Sequence, residues 1–199
     1  MRLPTIGTLR VIGFDDAPFP RSPGPGERAS PPVPLVGVVC AGTRFEGMVH
    51  GRIARDGWDA TETVIELLVR EGRGKFLPQL HLILFDGIAV GGFNLFDLEL
   101  LAARLERPCV AVMRKAPDLP AVGAAIGRLP MAERRLETLR RAGPIHHAAP
   151  FWFQVRGGDP DEIARALRRV TDQGHVPEAL RLAHVIGTAL VTGESGRRA

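Results

Sequence analysis

The sequence predicts an α/β protein, a mixed β-sheet flanked by helices, and three observations carry that expectation. Two apolar runs, Leu9-Arg10-Val11-Ile12-Gly13-Phe14-Asp15-Asp16 and Leu80-His81-Leu82-Ile83-Leu84-Phe85-Asp86-Gly87, read as buried strands ending on carboxylates. Residues 35–41 and 45–55 flank a turn at Thr43 and have the pattern of an antiparallel pair. From Asp59 onward, helical and strand-like segments alternate, as they do in βαβ units. With 199 residues, 45% of them hydrophobic, the chain can bury one full core, and a single domain over residues 1–199 is expected.

In chain order, the first strand is expected at about 7–14. Residues 17–32 are rich in Pro and Gly and read as a mobile loop. A helix opens at Asp59, with Asp59 as N-cap and Glu62 at the capping-box position three residues on, and runs to about Arg70. A strand over 80–85 and a helix over 96–105 follow, then a strand over 108–113. Residues 117–142 are helical with a break near Leu129-Pro130, where proline cannot continue the backbone bonding. A short strand at 151–155 and helices at 160–170 and 177–191 complete the chain. A hairpin followed by βαβ alternation resembles the ribonuclease H-like arrangement.

Composition narrows the function classes. No apolar run reaches the roughly 18 residues of a membrane span, so no membrane partner is expected. The opening Met1-Arg2-Leu3-Pro4-Thr5 starts no apolar signal-like run, and Cys40 and Cys109 sit in strand-like apolar segments, which together set a cytoplasmic expectation. The net charge is +4, and Lys75 and Lys115 are the only lysines, so the positive charge is nearly all arginine. That excess permits nucleic-acid binding without requiring it.

The candidate chemistry lies in Asp15, Asp16, Asp59 and Asp86, because carboxylates delivered to one sheet edge are how proteins hold Mg²⁺ for phosphate chemistry. Each alone would equally cap a turn or a helix. Strand alternation sends Asp15 and Asp16 to opposite sides, so only one can ligate an ion, the other bonding loop backbone. Clustered carboxylates repel, and Asp86 is expected to be the deepest and the most strongly raised in pKa. His184 lies in the last helix with Arg181 one turn earlier, both able to face a phosphate or metal, though a lone His on an apolar helix is more often a core residue. Lys115, just after Arg114, ends a strand where cations can meet a phosphate or simply be solvated. Gly91-Gly92 allows a close approach or a tight turn. There is no GxGxxG, Walker A or GxSxG motif, and His146, His147 and His175 lack zinc-ligand spacing with cysteine.

The combination of Gly13-Phe14-Asp15-Asp16-Ala17-Pro18-Phe19, Asp56-Gly57-Trp58-Asp59-Ala60-Thr61, Asp86-Gly87-Ile88-Ala89-Val90-Gly91-Gly92-Phe93-Asn94 and Val112-Met113-Arg114-Lys115 resembles the DUF99 family. So do the stretch from Gly174 to His184 and the tail Gly193-Glu194-Ser195. This family, also called UPF0215 or endonuclease dU, looks like a distant relative of endonuclease V with a ribonuclease H-like fold. The resemblance carries over Gly13-Phe14-Asp15 as the first strand end, Asp59 where endonuclease V has a helix-opening glutamate, Asp86-Gly87 as the second strand end, and Lys115 closing the next strand. Arg181-Leu182-Ala183-His184 stands where endonuclease V carries Arg-x-Ala-Asp.

The resemblance implies a metal-dependent endonuclease cleaving DNA at or near a deaminated base, deoxyuridine above all. Asp15, Asp59, Asp86 and His184 would be the metal ligands, with Lys115 neutralising the phosphorane. Mg²⁺ or Mn²⁺ is the implied cofactor, histidine in place of aspartate leaning towards Mn²⁺. The alternatives are a non-catalytic nucleic-acid-binding protein of the same fold, or a small-molecule phosphohydrolase using the same acids.

Overall fold

The computed structural model describes residues 3–4, 7–20, 31–69 and 74–195. Its centre is a mixed sheet built from β1 (Arg10–Asp16), β2 (Val33–Ala41), β3 (Arg44–Ile53), β4 (Leu82–Asp86), β7 (Cys109–Met113), β8 (His146–Ala148) and β9 (Phe151–Arg156), in the order β3-β2-β1-β4-β7-β9-β8. β2 pairs antiparallel with both β1 and β3, β1, β4 and β7 are mutually parallel, and β9 and β8 return antiparallel. A small hairpin, β5 (Ala89–Val90) with β6 (Asn94–Leu95), stands apart.

Helices cover both faces. α1 (Ala60–Val69) and α2 (Leu98–Leu105) pack on one side against Ile12, Phe14, Ile83, Phe85, Cys109 and Ala111. α5 (Pro160–Arg169) and α6 (Glu178–Thr192) pack on the other, against Val11, Leu82, Leu84, Val110 and Val112. The two groups interleave one residue at a time along each strand, as a two-residue repeat requires. Because both faces are buried there, β1, β2, β4 and β7 read as continuous apolar runs rather than alternating ones. Cys40 and Cys109 are both buried and belong to the cores on opposite faces.

The expected elements form, with instructive differences. β1 runs on to Asp16, so Asp15 and Asp16 lie within the strand rather than after it. The helical stretch 117–142 is two helices, α3 (Leu119–Ile126) and α4 (Ala132–Arg141), split around Pro130. The β5–β6 hairpin, the 3₁₀ turn Leu77–Gln79 and strand β8 are additions. Of the loop expected over 17–32, residues 21–30 lie outside the described residues, as does Arg70 at the expected end of α1.

One contact sets how closely the last helix approaches the sheet. A Cβ on Gly13 would stand 2.7 Å from both the carbonyl carbon of Ala179 and the amide nitrogen of Leu180, so α6 lies backbone-to-backbone on β1. Further along, Gly187 meets the Cα of Ala17 in the same way. Gly13→Ala therefore forces the first turn of α6 off the sheet and is expected to cost about 1–3 kcal/mol, the range for overpacking. Gly123, inside α3 with nothing within 4 Å of a Cβ, provides the contrast. Gly123→Ala is expected to raise stability by roughly 0.5–1 kcal/mol through helix propensity. Urea midpoints of the two variants should move in opposite directions.

Candidate active site

The acid groups stand at the carboxyl ends of β1 and β4. The two strands are parallel neighbours, with Phe14 beside Phe85, so Asp15 and Asp86 occupy the next position of each. Parity decides where they point. Val11 and Leu84 pack on the α6 face, and Asp15 and Asp86 share it by the two-residue repeat. There His184 of α6 closes on Asp15, with Nδ1 2.9 Å from Oδ2. The amide of Asp16 donates to the other Asp15 oxygen at 2.9 Å. Arg114, one residue past β7, brings Nη2 to 3.6 Å from Asp86 Oδ2.

Burial separates the two acids, in the opposite sense to the sequence expectation. The Asp15 side chain is 6% exposed, held under α6, whereas the Asp86 side chain is 24% exposed. Desolvation first, and then the charges of Asp86 and Asp16, push the Asp15 carboxyl up to about 8. Asp86 is also raised by burial, but Arg114 and His184 pull it back. The deeper and more strongly raised acid is thus Asp15, because α6 covers β1 while the end of β4 is open towards Arg114.

Asp16 points the other way, and its Oδ2 accepts from the Gly91 amide at 2.7 Å. Gly91 and Gly92 form the tight turn of the β5–β6 hairpin, with φ of 53° and 92°, where a side chain would be strained. Asp59 also belongs to this α1 side. Its carboxylate turns back from the helix to accept from the Ala54 amide at 3.1 Å and from Asn94 Nδ2 at 2.6 Å. Asn94 Oδ1 in turn accepts from the Ala60 amide at 3.0 Å, so an asparagine meets the helix start where the sequence pattern put an aspartate cap.

The cations flanking the acids have distinct surroundings. Arg181 does not accompany His184 to the acids: it makes a two-pronged ion pair with Glu178, three residues earlier, at 2.8 and 2.6 Å. Lys115 is exposed, and the cation that meets Asp86 is its neighbour Arg114. His146 and His147 stack on Phe153 and Trp152 across the β8–β9 pair, and His175 is exposed. Among the described residues, no three His, Cys, Asp or Glu side chains converge to hold an ion as they stand.

The family model of Endonuclease dU matches residues 7–191. A UPF0215 protein from Thermococcus gammatolerans is 39% identical over 191 residues, covering 94% of each chain. A protein of unknown function from Archaeoglobus fulgidus, known from its crystal structure, superposes with a TM-score of 0.81 at 31% identity, over 92% of this chain and 98% of that one. Ciona intestinalis endonuclease V, solved as its D234N variant with DNA containing an inosine followed by a ribo-adenosine, superposes with a TM-score of 0.54 at 13% identity, over 88% of this chain and 82% of that one. At that identity the likeness is one of fold, and the architecture is that of the ribonuclease H-like, endonuclease V-like class.

The raised Asp15 carboxyl has a measurable consequence. In the unfolded chain it ionises near 3.8, but in the folded protein it keeps its proton to about 8. Its contribution to stability is therefore complete below about pH 4 and is lost as the pH rises towards 8. Asp86 adds to the loss with the same sign. In buffer containing a chelator, the thermal midpoint should fall between pH 5 and pH 8, and Asp15→Asn should flatten that slope. An unchanged slope in the variant would show that Asp15 is not the group responsible.

Proposed function

Because the chain belongs to the endonuclease dU family, we propose that it is a metal-dependent endodeoxyribonuclease that cleaves DNA at or near a deaminated base, most specifically deoxyuridine. One observation carries the reading: Asp15 and Asp86 share one face at the ends of adjacent parallel strands, with the His184 imidazole on Asp15. The inosine-containing DNA bound by the Ciona protein supports nucleic acid as the partner.

The chemistry of these residues fits a divalent cation. Burial, and then the charges of Asp86 and Asp16, raise the proton affinity of Asp15, and burial with the charge of Asp16 raises that of Asp86, so both acids would gain from a nearby positive charge. Asp15 and Asp86 would hold the ion, with His184 beside them. Asp59 would join only by exchanging its bond to Asn94. Bound there, Mg²⁺ or Mn²⁺ would supply Lewis-acid activation of a water and charge stabilisation at a phosphodiester.

The chain's own groups have separable tasks. Asp15 orients the His184 ring through Nδ1, leaving Nε2 to accept or deliver a proton. Arg114 limits the repulsion at Asp86. Lys115, exposed at the end of β7, is free to swing onto a phosphate. A deaminated mispair is the cheaper one to extrude from a duplex, which suits a reading of DNA damage.

The test is cleavage of oligonucleotides carrying one uracil or hypoxanthine, with Mn²⁺ or Mg²⁺, resolved on a denaturing gel. Asp15→Asn and Asp86→Asn should abolish cleavage while remaining folded. Lys115→Met should lower turnover roughly a hundredfold if its charge is needed in the transition state. His184→Asp should retain activity and shift the preference from Mn²⁺ towards Mg²⁺. Full activity in both Asp variants would end the nuclease reading, and cleavage of mononucleotides alone would replace it with a phosphohydrolase.

A further inference from the structure

Two loops interlock on the α1 side of the site. One, residues 54–59, carries Asp59; the other, residues 91–94, carries the Gly91 amide that holds Asp16. The Asp56 amide donates to Gly91 O at 2.8 Å, and the Phe93 amide donates to Asp56 Oδ1 at 2.9 Å. Asn94 Nδ2 reaches back to both Ala54 O, at 2.9 Å, and Asp59. The Asp59 and Asp16 carboxylates are therefore placed by how the two loops sit on one another.

Local preference does not hold these loops together. Asp56 adopts φ of 49°, a left-handed conformation that costs a non-glycine residue energy. Its carboxylate fills the space that a Cβ on Gly92 would need, 2.3 Å from Oδ1. Besides the bonds between the loops, the Asp16–Gly91 bond and the bond of Arg55 to Pro20 O, a further anchor comes from α4. Arg135 is 2% exposed. Its Nη1 donates to Gly57 O at 3.1 Å and to Phe93 O, and its Nη2 donates to Asp56 O at 2.6 Å. Its Nε donates to Pro130 O at 3.1 Å, which anchors the guanidinium to the turn before its own helix. The Trp58 ring centre lies 5.3 Å from the guanidinium carbon.

Burying a guanidinium costs desolvation, which is offset here because it donates to four backbone carbonyls that an apolar side chain would leave without this donor. What the guanidinium adds is a rigid planar fork that donates to both loops at once, which an ammonium cannot reproduce. The geometry points to Arg135 as a positioning residue: by tying Asp56 and Gly57 to Phe93, it fixes Asp59 and the Gly91–Asp16 bond against the Asp15–Asp86 pair. It touches no reacting atom. The consequence for activity rests on the nuclease reading, whereas the consequence for loop order does not.

The experiment compares Arg135→Gln and Arg135→Lys with Arg134→Gln, which removes the neighbouring guanidinium stacked 4.6 Å over Trp58. Amide hydrogen exchange is read at Gly91, Phe93 and Ala54, whose N–H groups bond Asp16, Asp56 and Asp59. Arg135→Gln should speed exchange at these three amides roughly tenfold or more while β1 and β4 keep their protection. In the cleavage assay it should lower kcat roughly 10–100-fold and raise the half-saturating metal concentration, with KM for the oligonucleotide little changed. Arg135→Lys should fall in between, methylguanidinium should partly rescue Arg135→Gln, and Arg134→Gln should match the wild type. Wild-type exchange at the three amides in Arg135→Gln would overturn the proposal. So would loss of protection throughout the sheet in both Arg135 variants, which would make the residue an ordinary core group. If the wild type cleaves no DNA, the nuclease reading fails and the exchange results alone decide on Arg135.

Discussion

The site depends on the absence of a side chain at Gly13. Without a Cβ there, the first turn of α6 rests on the backbone of β1. The helix then runs along the strand nearly in step with it. Four helical residues rise roughly 6 Å, and two strand residues advance about 6.6 Å. Leu180 therefore lies over Gly13, His184 reaches Asp15 two strand residues on, and Gly187 meets Ala17 after two more. A larger residue at either glycine would lift the helix and withdraw the imidazole. The close approach also explains why Asp15 is the acid that loses water, since the element that supplies its partner is the element that covers it.

Strand parity divides the acids into two groups. Asp15 and Asp86 share the α6 face with His184 and Arg114, while Asp16 and Asp59 face α1 and are held by Gly91 and Asn94. The division is electrostatically sensible. Three carboxylates on one face without a cation would repel strongly at short range, and hydrogen bonds from backbone amides let Asp16 stay close without sharing that face. The remaining repulsion falls mainly on Asp15.

What was legible in the sequence follows from how local each signal is. Asp15 and Asp86 were readable because an apolar run ending in Asp marks a buried strand and its exit. The alternation that separates Asp15 from Asp16 was readable too, and Asp16 does bond loop backbone. His184 is visible as a polar residue on an apolar helix, whereas Glu178, three residues before Arg181, captures that guanidinium. That Asp15 lies deeper than Asp86 has no local signal, because the cover on Asp15 is contributed by a helix more than 160 residues later. Asn94, 35 residues from Asp59, takes over the helix-start contacts, and no capping pattern encodes a partner at that distance. Arg135 was the least visible. It sits in Ala-Glu-Arg-Arg-Leu-Glu-Thr-Leu-Arg-Arg, which reads as a solvated amphipathic helix, and its acceptors are carbonyls that every residue type possesses. Strands as short as β5, β6 and β8 give too few residues for a period to register.

The two walls of the site are consequently built by different physics. The α6 wall is set by backbone contact at Gly13 and Gly187, where moving the helix means breaking close packing, so Asp15 and His184 stand in fixed relation before any ligand arrives. The α1 wall is assembled from loops by hydrogen bonds to Asp56, Asn94 and Arg135, with one residue in a left-handed conformation and glycines at the turn. Hydrogen-bonded loops open at lower free energy than packed helices. Asp59, held by the neutral Ala54 and Asn94 amides, therefore stands on the wall that moves at the smaller cost. The buried, helix-covered acid thus stands on the wall fixed by close packing, and Asp59 stands on the wall held by hydrogen bonds.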